Sequence, residues 1–194
     1  MSSDRISAQM DFLTTADQLK SVSRATTLAD GSRSENSAEH SWHVALYALV
    51  LGEHAPEGVN TDRVIRMLLL HDLVEIDAGD APIFGEHDAA ALAEQESAAA
   101  ERLFGLLPGD QGRALRALWD EFEGNVTPDA QFAKALDRFQ PPNQNLASGG
   151  GSWISYDVQY DTLVARVGSK IAHGAPMLWD WLQPRVAAFF ERMR

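Results

Sequence analysis

The segment His71-Asp72-Leu73-Val74-Glu75-Ile76-Asp77-Ala78-Gly79-Asp80 limits what this chain can fold into. It follows the apolar run Val64-Ile65-Arg66-Met67-Leu68-Leu69-Leu70, which reads as a helix packed deep in a core. A histidine and four acids then arrive within ten residues. Charged side chains are rarely buried unless paired or bound to a metal. A His-Asp pair at the buried end of an apolar helix therefore requires a partner, and a cation is the simplest one. On a continued helix, Glu75 lies four residues after His71 and three after Asp72, over the same face. Gly79 reads as the end of that helix, which leaves Asp80 on the loop just past it, beside the same site.

The rest of the chain reads as helices. Ile6–Val22 carries Ile6, Met10, Leu13 and Leu19 at mostly helical spacing, and Ser23–Arg33 is a polar connection bracketed by Arg24 and Arg33. Asn36 or Ser37 caps a helix that runs to about His54. Positions 40, 44, 47 and 51 share one of its faces, so His40 belongs to the apolar side. Thr61-Asp62 opens the central helix, and Ala81–Gly85 is a loop. Asp88–Leu107 and Arg113–Phe122 are further helices, separated by Pro108-Gly109. Thr127-Pro128-Asp129 starts another, which carries Phe132, Leu136 and Phe139 until Pro141-Pro142 kinks or ends it. Gly149-Gly150-Gly151 marks the most flexible stretch, and helices near Tyr156–His173 and Met177–Met193 finish the chain. No alternating apolar run is long enough for a sheet. The expected fold is all-α, one domain over residues 1–194, built as a bundle of seven or eight helices.

Charge narrows the function classes. With Lys+Arg at 16 and Asp+Glu at 28, the formal net charge is -12, and no basic stripe exists to hold a nucleic acid polymer. A small anionic substrate needs a cation or a few placed arginines. The absence of cysteine excludes thiolate metal sites, disulfides and cysteine nucleophiles. No stretch approaches the roughly 20 apolar residues of a membrane span, and the start lacks a signal peptide's apolar run, so the expected compartment is the cytoplasm. Two outlying residues can join His71 and Asp72: His40, and Asp137 on a later apolar helix. Two ligands from one helix require others from elsewhere.

With these residues in order, the chain resembles the HD-domain metal-dependent phosphohydrolases, named for a His…His-Asp…Asp pattern. Within them it is most similar to the YfbR/HDDC2-type 5′-deoxynucleotidases. Glu39-His40-Ser41, His71-Asp72-Leu73-Val74-Glu75, Gly79-Asp80-Ala81-Pro82, Trp119-Asp120-Glu121-Phe122 and Lys134-Ala135-Leu136-Asp137-Arg138 carry the resemblance. It implies an HD-domain helical bundle with metal ligation by His40, His71, Asp72 and Asp137. It implies catalysis by Glu75 and Asp80, and an early arginine, best matched by Arg24, on the substrate phosphate. Asp80 and Ile83 match the segment that contacts the sugar. In that branch a tryptophan follows the arginine. Here Ala25 follows, which points to loose base preference or a shifted substrate class.

The four-ligand set suits one divalent transition metal ion, Mn²⁺, Fe²⁺, Co²⁺, Ni²⁺ or Zn²⁺. A second metal would require histidines between His71 and Asp137, where only His87 is available. His43 reads as core or as a residue standing behind the ligands, and His54, His87 and His173 as surface or cap residues. The expected activity is phosphate release from (deoxy)nucleoside 5′-monophosphates, a role in nucleotide metabolism. Two alternatives compete with it. A guanosine tetraphosphate hydrolase usually places two adjacent acids near Glu75, but Ile76 separates Glu75 from Asp77. A non-catalytic metal- or nucleotide-sensing module would have lost Glu75 or Asp80. Tyr156–Met193 is rich in Trp, Phe, Leu and Val, which predicts a homodimer.

Overall fold

The computed structural model describes residues 2–193. Helix α1 (Ser2–Ala16) passes through a 3₁₀ turn into strand β1 (Ser23–Thr27), which pairs antiparallel with β2 (Ser34–Asn36). Then come α2 (Ser37–Leu51) and α3 (Thr61–Leu70), a 3₁₀ turn over His71–Val74, and the single turn α4 (Glu75–Ala78). The chain continues as α5 (Ala89–Gly105), α6 (Gly109–Gly124), α7 (Pro128–Ala147), α8 (Ser152–Ser155), α9 (Tyr160–Leu163), α10 (Ser169–Gly174) and α11 (Pro176–Arg192). The expected all-α class holds. Helices α1, α2, α3, α5, α6, α7 and α11 supply the bulk of the bundle, and short segments raise the count of pieces beyond the expected seven or eight. Among the described residues no helix is long and apolar enough to cross a membrane.

Local chemistry sets the main helix starts. Asn36 forms a capping box with Glu39: Asn36 Oδ1 accepts from the Glu39 amide at 2.9 Å, and Glu39 accepts from the Asn36 amide at 3.0 Å. Asn60 caps α3, and Thr127 caps α7 with Pro128 in its first turn. Two clusters of buried side chains result. Val44, Val64, Met67, Leu68, Phe132 and Leu136 lie in the first; Phe12, Leu73, Val74, Leu103, Phe104 and Trp119 lie in the second. Leu68 belongs to one and Leu73 to the other, so His71 and Asp72 occupy the passage between them.

The structure departs from the sequence reading at one segment and adds detail at two others. The polar connection after α1 contains a β-hairpin. Its strands carry almost no apolar side chains, so hydrophobic alternation could not reveal them. Its turn is closed by the Leu28 amide on the Arg33 carbonyl at 2.9 Å and by Gly31 at φ +74°. Of the two outcomes expected at Pro141-Pro142, a kink or an end, the end does not occur: α7 continues to Ala147. The proline rings leave the carbonyls of Asp137 and Arg138 without helical donors. The turns around them are anchored instead by buried side chains: Gln140 and Gln144 both donate to Glu35, at 3.0 and 2.7 Å.

Gly149-Gly150-Gly151, expected to be the most flexible stretch, forms a turn whose conformation calls for glycine. All three glycines have positive φ, and the Ser152 amide donates to Asn145 Oδ1 at 3.0 Å. A Cβ on Gly151, at φ +43°, would stand 2.4 Å from Asn145 Oδ1. Gly151→Ala should therefore destabilise the protein by about 1–3 kcal/mol, the usual cost of forcing a side chain into such a conformation. Denaturant unfolding checks this, and a midpoint equal to wild type would mean that the turn is slack.

Candidate metal centre

The four central side chains come from three structural settings. The capping box at Asn36 sets the first turn of α2 and faces His40 inward, with no exposed surface. His71 and Asp72 stand where α3 tightens into the 3₁₀ turn, and the Trp119 indole donates to the His71 carbonyl at 3.2 Å. Asp137 is presented by α7. His40, His71 and Asp72 offer ligand atoms that lie within 4.8 Å of one another. Asp137 Oδ1 is 3.0 Å from His40 Nε2 and 3.7 Å from His71 Nε2. The structure thus brings together all four residues singled out as ligands, and all are buried.

The donor set fits a cation. The His71 Nδ1–H donates to the Leu68 carbonyl at 2.8 Å, which aims Nε2 into the cluster. That Nε2 is buried and makes no aligned hydrogen bond, although Asp72 Oδ1 is 2.9 Å away. His40 Nδ1 faces Gln140 Oε1 at 3.2 Å and Glu35 Oε1 at 3.3 Å, while its Nε2 faces Asp137. Both imidazoles therefore meet acceptors on both sides. A neutral ring can satisfy only one side with a proton; the other nitrogen needs a second proton or a metal ion.

The charges respond accordingly. Burial alone would lower the His71 pKa, but Asp72 and Asp137 outweigh it and push it up to about 10. Burial and the Arg24 charge also oppose protonation of His40, yet its hydrogen bond to Asp137 and the nearby Glu35 carboxylate leave its pKa raised. Against the effect of burial, His71 and Arg24 hold Asp72 below the usual carboxylate range; Arg138 and both histidines do the same for Asp137. Both imidazoles are thereby pushed toward holding a second proton, which offsets the neighbouring carboxylates.

Arg24 carries the second half of the site. It projects from β1 and is almost buried. Its Nη1 lies 2.9 Å from Asp72, 3.5 Å from Glu75 and 3.4 Å from Asp80. Glu75 also accepts from the Ser37 hydroxyl at 2.5 Å. Burial, then the Asp72 charge, push Glu75 up to about 8 despite Arg24, and burial raises Asp80. Arg24, Asp72, Glu75, Asp80, Ile83 and Asp137 line one cleft of about 320 Å³.

Other residues fall elsewhere. Arg33 braces Glu39 on the surface, outside the cleft, and Asp77 is tied to Arg102 at 2.6 Å. The Glu75 segment does not continue α3 as one regular helix. The 3₁₀ turn intervenes, so Glu75 approaches the cluster through Arg24 and Ser37. Sequence reasoning missed Glu35, Ser37 and Gln140. Gln140 sits three residues after Asp137, hence on the same helix face, and that spacing was its available signal. Glu35 and Ser37 flank the cap residue Asn36, a place usually read only for helix starts.

Residues 16–179 match the family described as HD domain. The 5′-deoxynucleotidase HDDC2 of Bos taurus is 32% identical over 130 residues, which are 66% of this chain and 62% of that protein. The chain thus covers just under two thirds of the length of that relative. A 5′-deoxynucleotidase of Erwinia tasmaniensis is 27% identical over 169 residues, covering 82% of this chain and 85% of its own. The crystal structure of a predicted metal-dependent phosphohydrolase from Magnetospirillum magnetotacticum MS-1 superposes with a TM-score of 0.91 at 44% identity, covering 97% of each chain.

The proton balance makes a prediction. A raised folded pKa for His71 contributes stability that is complete below its ordinary value of 6.5 and is lost as pH rises toward about 10. The metal-free protein should therefore melt at progressively lower temperature across that window. Adding Zn²⁺ to EDTA-treated protein near neutral pH should release protons, seen calorimetrically as a binding enthalpy that changes with the buffer. Buffer-independent enthalpy would mean that the imidazoles are not ligands.

Proposed function

The chain belongs to the HD domain family, and we propose that it is a metal-dependent phosphatase of deoxynucleoside 5′-monophosphates. One HD unit holds one divalent transition metal ion through His40, His71, Asp72 and Asp137. The observation that carries this reading is the meeting of two opposite sites in one cleft. The orphaned His71 Nε2, which suits a cation, lies beside Asp72. Asp72 is in turn 2.9 Å from Arg24, whose guanidinium suits a phosphate. A bound divalent ion supplies Lewis acidity toward a phosphoryl oxygen and makes a water more acidic.

The chain's own residues do the rest. Arg24 takes the phosphate oxygens and orients the phosphorus for attack. Glu75 accepts the proton of the attacking water. A carboxyl held near 8 exchanges protons close to neutral pH, as a general base requires. Asp80 bonds the sugar or returns a proton to the leaving 5′ oxygen, a role its raised pKa suits. Ile83 packs on the sugar.

We also propose a cytoplasmic homodimer. Trp42, Leu46, Leu49 and Val50 on α2 and Met177 and Trp181 on α11 are all exposed. A second copy of the chain covers this face, and light scattering at micromolar concentration should give twice the chain mass; a monomer would refute it. Part of the face lies on α2, outside the C-terminal region whose composition suggested pairing.

Phosphate release from a panel of 5′-monophosphates, with and without added metal, tests the activity. Deoxynucleotides should be preferred, and equal kcat/KM for ribonucleotides would sink the roles of Asp80 and Ile83. Glu75→Gln should keep its metal and lose kcat by about 10²–10⁴-fold. Arg24→Ala should raise KM and lower kcat together, because the phosphate is charged in both ground and transition states. Wild-type turnover by Glu75→Gln would transfer the base role to Asp80, and loss of metal would make Glu75 a ligand.

A further inference from the structure

The metal-dependent phosphatase reading leaves one fully enclosed acid without a role. Glu35, on β2, is 1% exposed. Its Oε2 accepts from Gln140 at 3.0 Å and Gln144 at 2.7 Å. Its Oε1 lies 3.3 Å from His40 Nδ1 and 3.4 Å from Arg24 Nε, and it makes no aligned hydrogen bond. Arg24 Nε is likewise buried without a hydrogen-bond partner. One carboxylate oxygen therefore stands between the back of a proposed metal ligand and the back of the proposed phosphate-binding arginine.

Burying a carboxylate is costly unless its environment compensates. Two amide donors from α7 fix one Glu35 oxygen, and they leave the other aimed at His40 and Arg24. We propose that Glu35 is a positioning residue shared by the metal and phosphate subsites. Toward His40, its charge 3.3 Å behind Nδ1 favours a proton there, which Gln140 Oε1 accepts at 3.2 Å. That keeps the Nε2 lone pair facing Asp137 and the ion, the arrangement by which carboxylates behind ligating histidines fix their tautomer and orientation. Toward Arg24, it holds Nε from behind, so that the terminal nitrogens face the cleft. Arg24 then has a partner that survives when Asp72 is committed to the ion. His43 completes the shell: burial lowers its pKa, and its neutral Nδ1 receives the remaining Gln140 amide hydrogen at 3.2 Å.

This inference rests on the function proposed above, and the experiment separates the two. Glu35→Gln keeps the shape and removes the charge. Co²⁺ affinity of metal-free protein, read calorimetrically without any turnover, should fall by about 10–100-fold. With dAMP as substrate and saturating metal, KM should rise. The same change in an Arg24→Ala background should leave KM where Arg24→Ala alone puts it, while still weakening Co²⁺ binding. A purely structural role would lower the melting temperature and leave these two constants and their dependence on Arg24 unmoved. Unchanged Co²⁺ affinity would overturn the link to His40, and an equal KM rise with and without Arg24 would overturn the link to the phosphate. Should Glu35→Gln fail to fold, Glu35→Asp, which keeps the charge but shortens the reach, carries the same comparison with smaller expected losses. A wild-type protein inactive on every nucleotide would sink the proposed activity, and the Co²⁺ arm would still decide the role of Glu35 at the metal.

Discussion

The constraint on which this structure turns is an excess of buried negative charge around one guanidinium. Arg24 lies within 3.5 Å of Glu35, Asp72, Glu75 and Asp80, and Asp137 stands across the histidines. In a low-dielectric interior such acids cannot all ionise against a single cation. The upward shifts of His71 and Glu75 and the downward shifts of Asp72 and Asp137 are one response, in which protons move to wherever they offset the imbalance. A divalent ion is the natural replacement for those protons. The proposed metal site, its predicted proton release and the proposed base role of Glu75 thus all trace to the same local excess of negative charge.

The fold serves that cluster by walling it in. Two apolar clusters meet around His71-Asp72, and α7 closes the far side. The less regular elements do the fine placement. The hairpin delivers Arg24 and Glu35 from neighbouring strands. The 3₁₀ turn separates Glu75 from the histidine it follows, so that it meets Arg24 and Ser37. Helix α7 continues past two prolines, and Gln140 and Gln144 on either side of them donate to Glu35.

Much of this was legible in the order of residues. The apolar run before His71 dictates a buried helix end, and only a charged partner makes a His-Asp pair tolerable there. Asn36, Asn60 and Thr127 announce helix starts, because each short polar side chain can satisfy an amide that the helix leaves free. The periodicity of α2 and α7 turns His40 and Asp137 inward. Those are local facts, since a helix face repeats every few residues.

The remainder was decided by contacts between distant residues. Glu35 meets Gln140 and Gln144 across more than a hundred positions, and nothing in its neighbours' sequence signals that. Arg24 sits in a polar stretch whose strand pairing has no apolar alternation to reveal it, so its approach to Asp72 exists only once the hairpin closes. The three glycines look slack as a string, yet Asn145 and Ser152 lock them into one turn. Periodicity and capping act over one or two helical turns, so they place side chains on faces. Where two faces meet, which acid shares which cation, and which proton each group keeps are settled by packing in three dimensions.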